Sequence, residues 1–123
     1  MVTALELVIE VLAEATGLPV SSKVQRDASG VFLRVEQAAP TAFSPSHDKT
    51  MIIVQVYGPH TQLEDILETI GKCRDFLRFE LADQVPAIVG WDEVSGPVEF
   101  PDPDIQDTYA RWQFVGYVFT TLA

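Results

Sequence analysis

The sequence predicts a single α+β domain, with a mostly antiparallel sheet of about four to five strands and two helices packed on one face. Three observations predict this fold. Two segments carry apolar residues at helical spacing, five segments have the apolar pattern of strands, and their order is α-β-β-β-α-β-β. All neighbouring strands but one pair can be joined by hairpins, which favours antiparallel pairing. The 123 residues, of which 47% are hydrophobic, are enough for one core and one domain spanning 1–123.

The first helix is predicted over residues 3–16. Its apolar residues recur at helical spacing, at Leu5, Val8, Ile9 and Leu12. Thr3 and Glu6 have the spacing of a capping box, in which hydroxyl and carboxylate each accept from a free backbone N–H. Gly17 suits the left-handed position after the helix, and Pro19 prevents continuation. Three glutamates form a stripe that we expect to face water: Glu6, Glu10 and Glu14.

Two strands are predicted next, around a turn. Residues 21–26 have the pattern of a short edge strand, and the sequence Asp-Ala-Ser-Gly at 27–30 is typical of a turn. Residues 31–37 alternate, which predicts a half-buried antiparallel strand with one apolar side formed by Val31, Leu33 and Val35.

The segment 38–49 contains two prolines and has no periodicity, so the sequence predicts an exposed loop there. Residues 50–57 are apolar at nearly every position. A strand that is covered on both faces has this pattern, and we therefore expect it in the centre of the sheet. Gly58 and Pro59 follow it and are expected to end it.

The second helix is predicted over residues 61–81. Thr61 and Glu64 repeat the capping-box spacing. The expected buried stripe consists of Leu63, Ile66, Leu67, Ile70, Cys73, Leu77 and Leu81. Cys73 is the only cysteine, which excludes an internal disulfide, and its apolar helical neighbours predict an inert buried thiol.

The last two strands are predicted at 85–91 and 109–122, joined by a long hairpin with an irregular tip at 92–108. On the final strand, one predicted face carries Trp112, Phe114, Val118 and Leu122. The other predicted face carries Tyr109, Arg111, Gln113, Val115, Tyr117 and Phe119.

The charge is strongly negative, with 18 acidic residues against 8 lysines and arginines. Tight binding to nucleic acid depends on cationic contacts to phosphate, so this class of function is disfavoured, as is a polybasic membrane contact. The excess is concentrated in residues 79–123, where Arg111 is the one base. We interpret the acids of the last hairpin either as a solubilising surface or as a face turned toward a passing polyanion or a basic partner: Asp92, Glu93, Glu99, Asp102, Asp104 and Asp107.

Chemistry-bearing motifs are few. His47, which Asp48 follows, and His60 are the two histidines, and both lie in predicted loops beside prolines. No third ligand stands at a helical spacing, so we expect solvated loop histidines rather than a metal or acid–base site. Asp102 and Asp104 are expected to form a stiff acidic turn, because the further ligands of a calcium loop are missing. The sequence has no phosphate-binding glycine loop and no hydrolase or zinc-protease motif. We therefore predict no enzyme, no metal and no cofactor.

More aromatic side chains are present than one covered sheet face can bury. A small domain with aromatics on both faces often buries the second face against another subunit. The candidate interface residues are Phe32, Arg34, Phe43, Trp91, Phe100, Tyr109, Arg111 and Tyr117.

Three segments carry a family resemblance: TGLPVSSKV with VFLRVEQA, then MIIVQVYGPHTQLEDILETIGKCRDFL, and finally PDPDIQDTYARWQFVGYVFTTL. Across nearly its whole length the chain resembles the tail terminator and minor tail, or head–tail joining, proteins of bacteriophages with long non-contractile tails. The second helix departs from the family's pattern in being rich in Ile and Leu, and the loop from Phe43 to His47 matches no motif.

The resemblance implies a structural virion protein without catalytic residues. Members form a ring, usually a hexamer, that caps the tail tube, stops its polymerisation and joins the head. The implied partners are further copies of the chain, the tail tube protein and a head-completion or connector protein. DNA is expected to pass through without being tightly bound, and no membrane contact is expected. Two alternatives stay open: another neck component, or a small ligand-binding or enzymatic domain. The first residues lack the pattern of a secretion signal, so the expected locations are the host cytoplasm during assembly and the virion tail.

Overall fold

The computed structural model describes residues 3–24 and 30–121. The predicted α+β class is confirmed, with six strands and three helices in these residues. In chain order the elements are α1 (Ala4–Thr16), β1 (Val20–Ser21), β2 (Phe32–Gln37), β3 (Thr41–Ser44), β4 (His47–Pro59), a 3-10 turn (His60–Gln62), α2 (Leu63–Phe79), α3 (Leu81–Gln84), β5 (Ile88–Glu99) and β6 (Tyr109–Thr121).

Helix α1 begins at Ala4, one residue after the predicted start, and ends at the predicted Thr16. The Thr3 hydroxyl oxygen accepts from the Glu6 backbone N–H at 3.1 Å, and Gly17 adopts a φ of 70° at the C-terminal end. The Glu6 carboxylate accepts from the Thr3 hydroxyl at 3.2 Å. Thr3 therefore satisfies one of the free N–H groups of the first turn, as the sequence predicts.

The strands lie in the order β1-β2-β4-β6-β5, and β3 pairs with β4. Only the β1–β2 pair is parallel within the described residues. Strands β4 and β6 form the centre, paired from His47 opposite Thr121 to Pro59 opposite Tyr109. Strand β1 is shorter than predicted, and residues 25–29, which include the predicted turn, lie outside the described residues.

The prediction of an exposed loop at 38–49 is wrong. These residues contain β3 and the beginning of β4, joined by a tight turn at Pro45 and Ser46. The prolines hide the strand pattern because they interrupt it at the turn and before β3. Strand β3 is stabilised by a residue distant in sequence. The Phe43 ring packs edge-to-face on Phe119 with 4.8 Å between ring centroids.

Helix α2 is shorter than predicted, and the Thr61 capping box is wrong. Gln62 occupies the N-cap position without a side-chain cap, because residues 60–62 form a 3-10 turn instead. Leu63 and Leu67 are 44% and 43% exposed, so they do not belong to the buried stripe. The sheet covers fewer residues around the circumference of α2 than the apolar pattern suggests. The buried residues of the helix are Ile66, Thr69, Ile70, Cys73, Phe76 and Leu77.

All the helices pack on one face of the sheet, which we call the helix face. The core lies between them and alternate residues of the strands. From β2, β4 and β6 this core takes Leu33, Val35, Ile52, Val54, Val56, Ala110, Phe114 and Val118, and from α1 it takes Val8 and Leu12. The opposite side of the sheet, which no helix covers among the described residues, is the open face.

Two glycines allow close packing on the helix face. A Cβ at Gly116 would lie 2.4 Å from an atom of the Trp91 indole, and a Cβ at Gly58 would lie 2.7 Å from the Ile66 side chain. Trp91 thus lies flat over β6, on the helix face, with its ring edge-to-face to Phe114 at 6.1 Å between centroids.

The prediction of an irregular tip at 92–108 is wrong in its first half. Strand β5 continues to Glu99, although its register with β6 shifts at three places between Ile88 and Val98. Bulges of this kind obscure the two-residue alternation by which a strand is recognised in a sequence.

Candidate functional site: the open face and its strap

The open face is organised in rows across the sheet. Directly paired residues point to the same side, so the register gives the rows. From one end of β6 to the other they are Phe32–Tyr57–Arg111, then Arg34–Gln55–Gln113–Val98, then Glu36–Ile53–Val115–Ser95, then Met51–Tyr117–Asp92, and finally Thr41–Lys49–Phe119–Gly90.

The segment Phe100–Thr108, which we call the strap, folds over the first of these rows. Arg111 holds it there with two donated hydrogen bonds, from Nε to the Phe100 carbonyl oxygen at 2.6 Å and from Nη2 to the Pro101 carbonyl oxygen at 3.2 Å. Its Nη1 donates to the hydroxyl of Tyr57, on the sheet below, at 3.1 Å. Its guanidinium also lies 5.0 Å from the centre of the Phe100 ring. Arg111 is only 7% exposed, so the strap and the sheet together enclose a cation.

Two further groups complete this buried cluster. The Tyr57 hydroxyl donates to Asp102 Oδ2 at 3.1 Å, and the same carboxylate oxygen lies 3.8 Å from Arg111 Nη1. Burial raises the pKa of Tyr57, although the hydrogen bond from Arg111 opposes this shift. Phe32 stacks on the Tyr57 ring with 4.8 Å between centroids. The charge of Arg111 is therefore matched by Asp102, and each of its three guanidinium nitrogens donates a hydrogen bond, as a buried charge requires.

A second contact holds the far end of the strap. The Nε2–H of His60 donates to the Gln106 carbonyl oxygen at 2.7 Å. His47 lies at the other end of β4, where its Nδ1 is 2.9 Å from the Ser44 hydroxyl. The length of β4 separates the two histidines by roughly 40 Å. They therefore cannot share a ligand, and Asp48 adjoins only His47.

The part of the open face beyond the strap, which we call the apolar half, is uncovered in the described chain. Its half-buried apolar side chains are Met51, Ile53, Val115, Tyr117 and Phe119. Phe43 lies beside them and is 60% exposed. Lys49 places its ammonium 4.7 Å from the centre of the Tyr117 ring. An exposed apolar sheet face of this kind normally marks a contact with another protein or a ligand.

The predicted interface residues divide into three groups. Phe32 and Arg111 are buried beneath the strap. Trp91 lies on the opposite, helix face. The third group remains exposed or half-buried and consists of Arg34, Phe43, Phe100, Tyr109 and Tyr117. Arg34 forms a salt bridge with Glu36 at 2.5 Å.

The predicted acidic residues also divide. Asp102 belongs to the buried cluster, and Glu93 lies on the helix face, where both its oxygens accept from Arg74 at 2.7 Å. The Arg74 guanidinium lowers the pKa of Glu93. The acidic side chains that remain exposed are Asp92, Glu99, Asp104 and Asp107.

The Glu93–Arg74 pair predicts a weak acid sensitivity. Because the folded state lowers the pKa of Glu93, the pair stabilises the fold above the ordinary glutamate pKa of about 4.3 and loses its effect as the pH falls through the lower folded-state pKa. We expect Glu93→Gln to cost about 1 kcal/mol at neutral pH and nothing at pH 2, measured by urea unfolding. An equal cost at both pH values would contradict this.

Two other features bear on chemistry. Burial raises the pKa of the Cys73 thiol to about 12, so at neutral pH it is a thiol rather than a nucleophilic thiolate. An open groove of about 300 Å³ runs between the end of α1 and α2. Its walls include the solvent-exposed pair of Lys72 and Glu68, 3.7 Å apart. In residues 3–24 and 30–121 no group of three or more His, Cys, Asp or Glu side chains is placed to hold a metal ion.

No protein-family model matches the chain, and no curated protein is significantly similar to it. None of the described helices is both long and apolar enough to cross a membrane.

Arg111 and Tyr57 form the centre of the site, and sequence reasoning assigned neither of them this role. One signal was available, because Arg111 is the one base in residues 79–123 and stands in an aromatic strand. A lone cation at such a position indicates a dedicated carboxylate or carbonyl partner.

Proposed function

We propose that this chain is a ring-forming structural subunit of the kind that caps a phage tail tube and joins it to the head. The proposal is carried by the two unlike edges of its sheet, neither of which is covered by another strand within residues 3–24 and 30–121. A subunit of a closed ring needs two different contact surfaces, because head-to-tail contacts close only when one surface fits another.

The long edge is β5. No other described strand pairs with its outer side, and Val89, Val94 and Val98 are 52%, 55% and 48% exposed. The opposite side of the sheet ends in short strands, β1 and β3. Bulges and Pro97 interrupt strand pairing along this edge, so the exposed valines favour a contact with another chain through side chains.

The strap supplies a feature that suits the lumen of such a ring. It carries exposed acids, Asp104 and Asp107, on a segment that Arg111 and His60 fix in place. An acidic wall releases no counterions from DNA and therefore lets the duplex slide without being held.

The proposal is tested by native mass spectrometry and negative-stain electron microscopy of the chain, alone and co-expressed with the tube protein of the same phage genome. In the co-expression we expect closed rings and tubes of defined length, with the chain alone as the reference. Val94→Lys should weaken ring formation at least about tenfold, since it places a charge in the contact.

The matched control is Leu67→Lys, an equally exposed apolar residue on α2, away from both sheet edges. It should leave rings intact. Equal effects of Val94→Lys and Leu67→Lys would contradict the assignment of β5 to the subunit contact. Binding to a connector protein in place of the tube protein would assign the chain to another part of the neck.

A further inference from the structure

We propose that the apolar half of the open face binds the open face of a second copy of this chain, turned end for end, so that the strap of each copy lies against Lys49 and Phe43 of the other. This inference concerns the isolated chain and the broad face of its sheet, and it does not rest on the proposed function. The face-to-face contact covers the straps, so it has to open before a ring with its straps at the lumen forms at the tail tube.

The shape of the open face favours this partner. The strap covers one end of the open face and adds a layer of chain there, whereas the other end has no chain over it in the described residues. The open face is therefore higher at the strap end than at the apolar half. A second copy related by a two-fold axis across the strands, near Val115, fills the low half with its own raised half. Such a contact is isologous, so one surface suffices for both copies. Two sheets then pack face to face, as in a β-sandwich.

The local charge also permits a copy to approach. The chain carries a net charge of -10, so two copies repel each other over most of their surfaces. The uncovered rows are an exception, because the charges on them are Lys49 and Asp92, with Glu36 already paired to Arg34 at the margin. This part of the face is therefore locally neutral.

Charge also selects the inverted orientation. If both copies pointed the same way, strap would meet strap, and the exposed Asp104 and Asp107 of each copy would lie close to the same acids of the other. Like charges in contact cost free energy and suppress this arrangement. Inversion instead brings each acidic strap to the end of the face where Lys49 lies.

The exposed aromatics match in the same orientation. Phe43 and Phe100 are 60% and 52% exposed and stand at opposite ends of the same face. End-for-end pairing places Phe43 of one copy near Phe100 of the other, whereas parallel pairing places each near its own equivalent. Exposed aromatic side chains of this size are enriched in protein interfaces.

Crosslinking separates these arrangements. Phe43→Cys, Phe100→Cys and the double variant are treated with a short bismaleimide, with the wild-type chain and its buried Cys73 as the background. We expect covalent dimers from the double variant and none from either single variant. Dimers from the single variants would overturn the inverted arrangement.

Sedimentation equilibrium tests the contact in chains whose strap is intact. We expect the wild type to dimerise below about 100 μM, and Lys49→Glu and Val115→Lys each to raise the dissociation constant at least about tenfold. The control Lys72→Glu changes the same charge on the outer side of α2 and should leave the constant unchanged. A wild-type chain that stays monomeric at this concentration, or that binds only the tube protein through this face, would overturn the proposal.

Discussion

Replacing Arg111 with methionine is expected to lower the free energy of unfolding by about 3–5 kcal/mol, the cost of removing one partner from a buried charge pair. The substitution leaves Asp102 without its cation and two strap carbonyls, of Phe100 and Pro101, without their donors. Urea unfolding followed by tryptophan fluorescence measures the loss. Hydrogen exchange should also show faster exchange in the strap than in β4.

Arg34→Met is the matched control, because Arg34 lies on the same face but is half-exposed and pairs with Glu36 near the surface. We expect it to cost less than about 1 kcal/mol. Tyr57→Phe removes a single hydroxyl from the cluster and should cost an intermediate amount, about 1–2 kcal/mol. A cost for Arg111→Met no larger than that for Arg34→Met would show that the strap is not held by this cluster.

Replacing Gly116 with alanine is expected to cost about 3 kcal/mol, a large effect for one added methyl group. The added Cβ would lie 2.4 and 2.5 Å from two atoms of the Trp91 indole, closer than side chains approach one another. Because the partly buried indole packs over Gly116 and against the hydrophobic core, displacing it breaks those apolar contacts. Thermal or urea unfolding provides the measurement.

Gly90→Ala is the matched control for this prediction. Gly90 lies on the neighbouring strand, and nothing lies within 4 Å of the position that its Cβ would take. We expect a change within about 0.5 kcal/mol. The double variant Gly116→Ala with Trp91→Leu should be more stable than the sum of its single effects implies, since the smaller side chain removes the clash. Full additivity would contradict this explanation.

Much of the fold is predictable because its signals are local. The Thr3 cap, the left-handed Gly17 and the continuous apolar run around Val54 each specify their element within a few residues. Strand β3 was missed because its stabilising contacts come from elsewhere: it pairs with β4, and Phe43 packs on Phe119, far along the chain. The exposure of Leu67 is not predictable either. A helical pattern shows which residues are apolar, but it does not show how much of the helix surface the sheet covers.

The candidate site was predictable only in part. The aromatics and acids were recognised as a surface, but the sequence could not separate those that face a partner from those that face the core. Arg111 and Tyr57 are 54 residues apart and become neighbours only through the β4–β6 register. Similarly, Glu93 does not belong to the exposed acidic surface, because it forms an ion pair with Arg74 of α2. This pairing depends on where α2 packs against β5.

The proposed role depends most directly on the number and arrangement of subunits at the tail tube. Native mass spectrometry with electron microscopy of the chain co-expressed with the tube protein measures both. We expect a closed ring with one rotational axis and the straps around its opening. Only monomers and two-fold pairs, with tubes of uncontrolled length, would contradict the account.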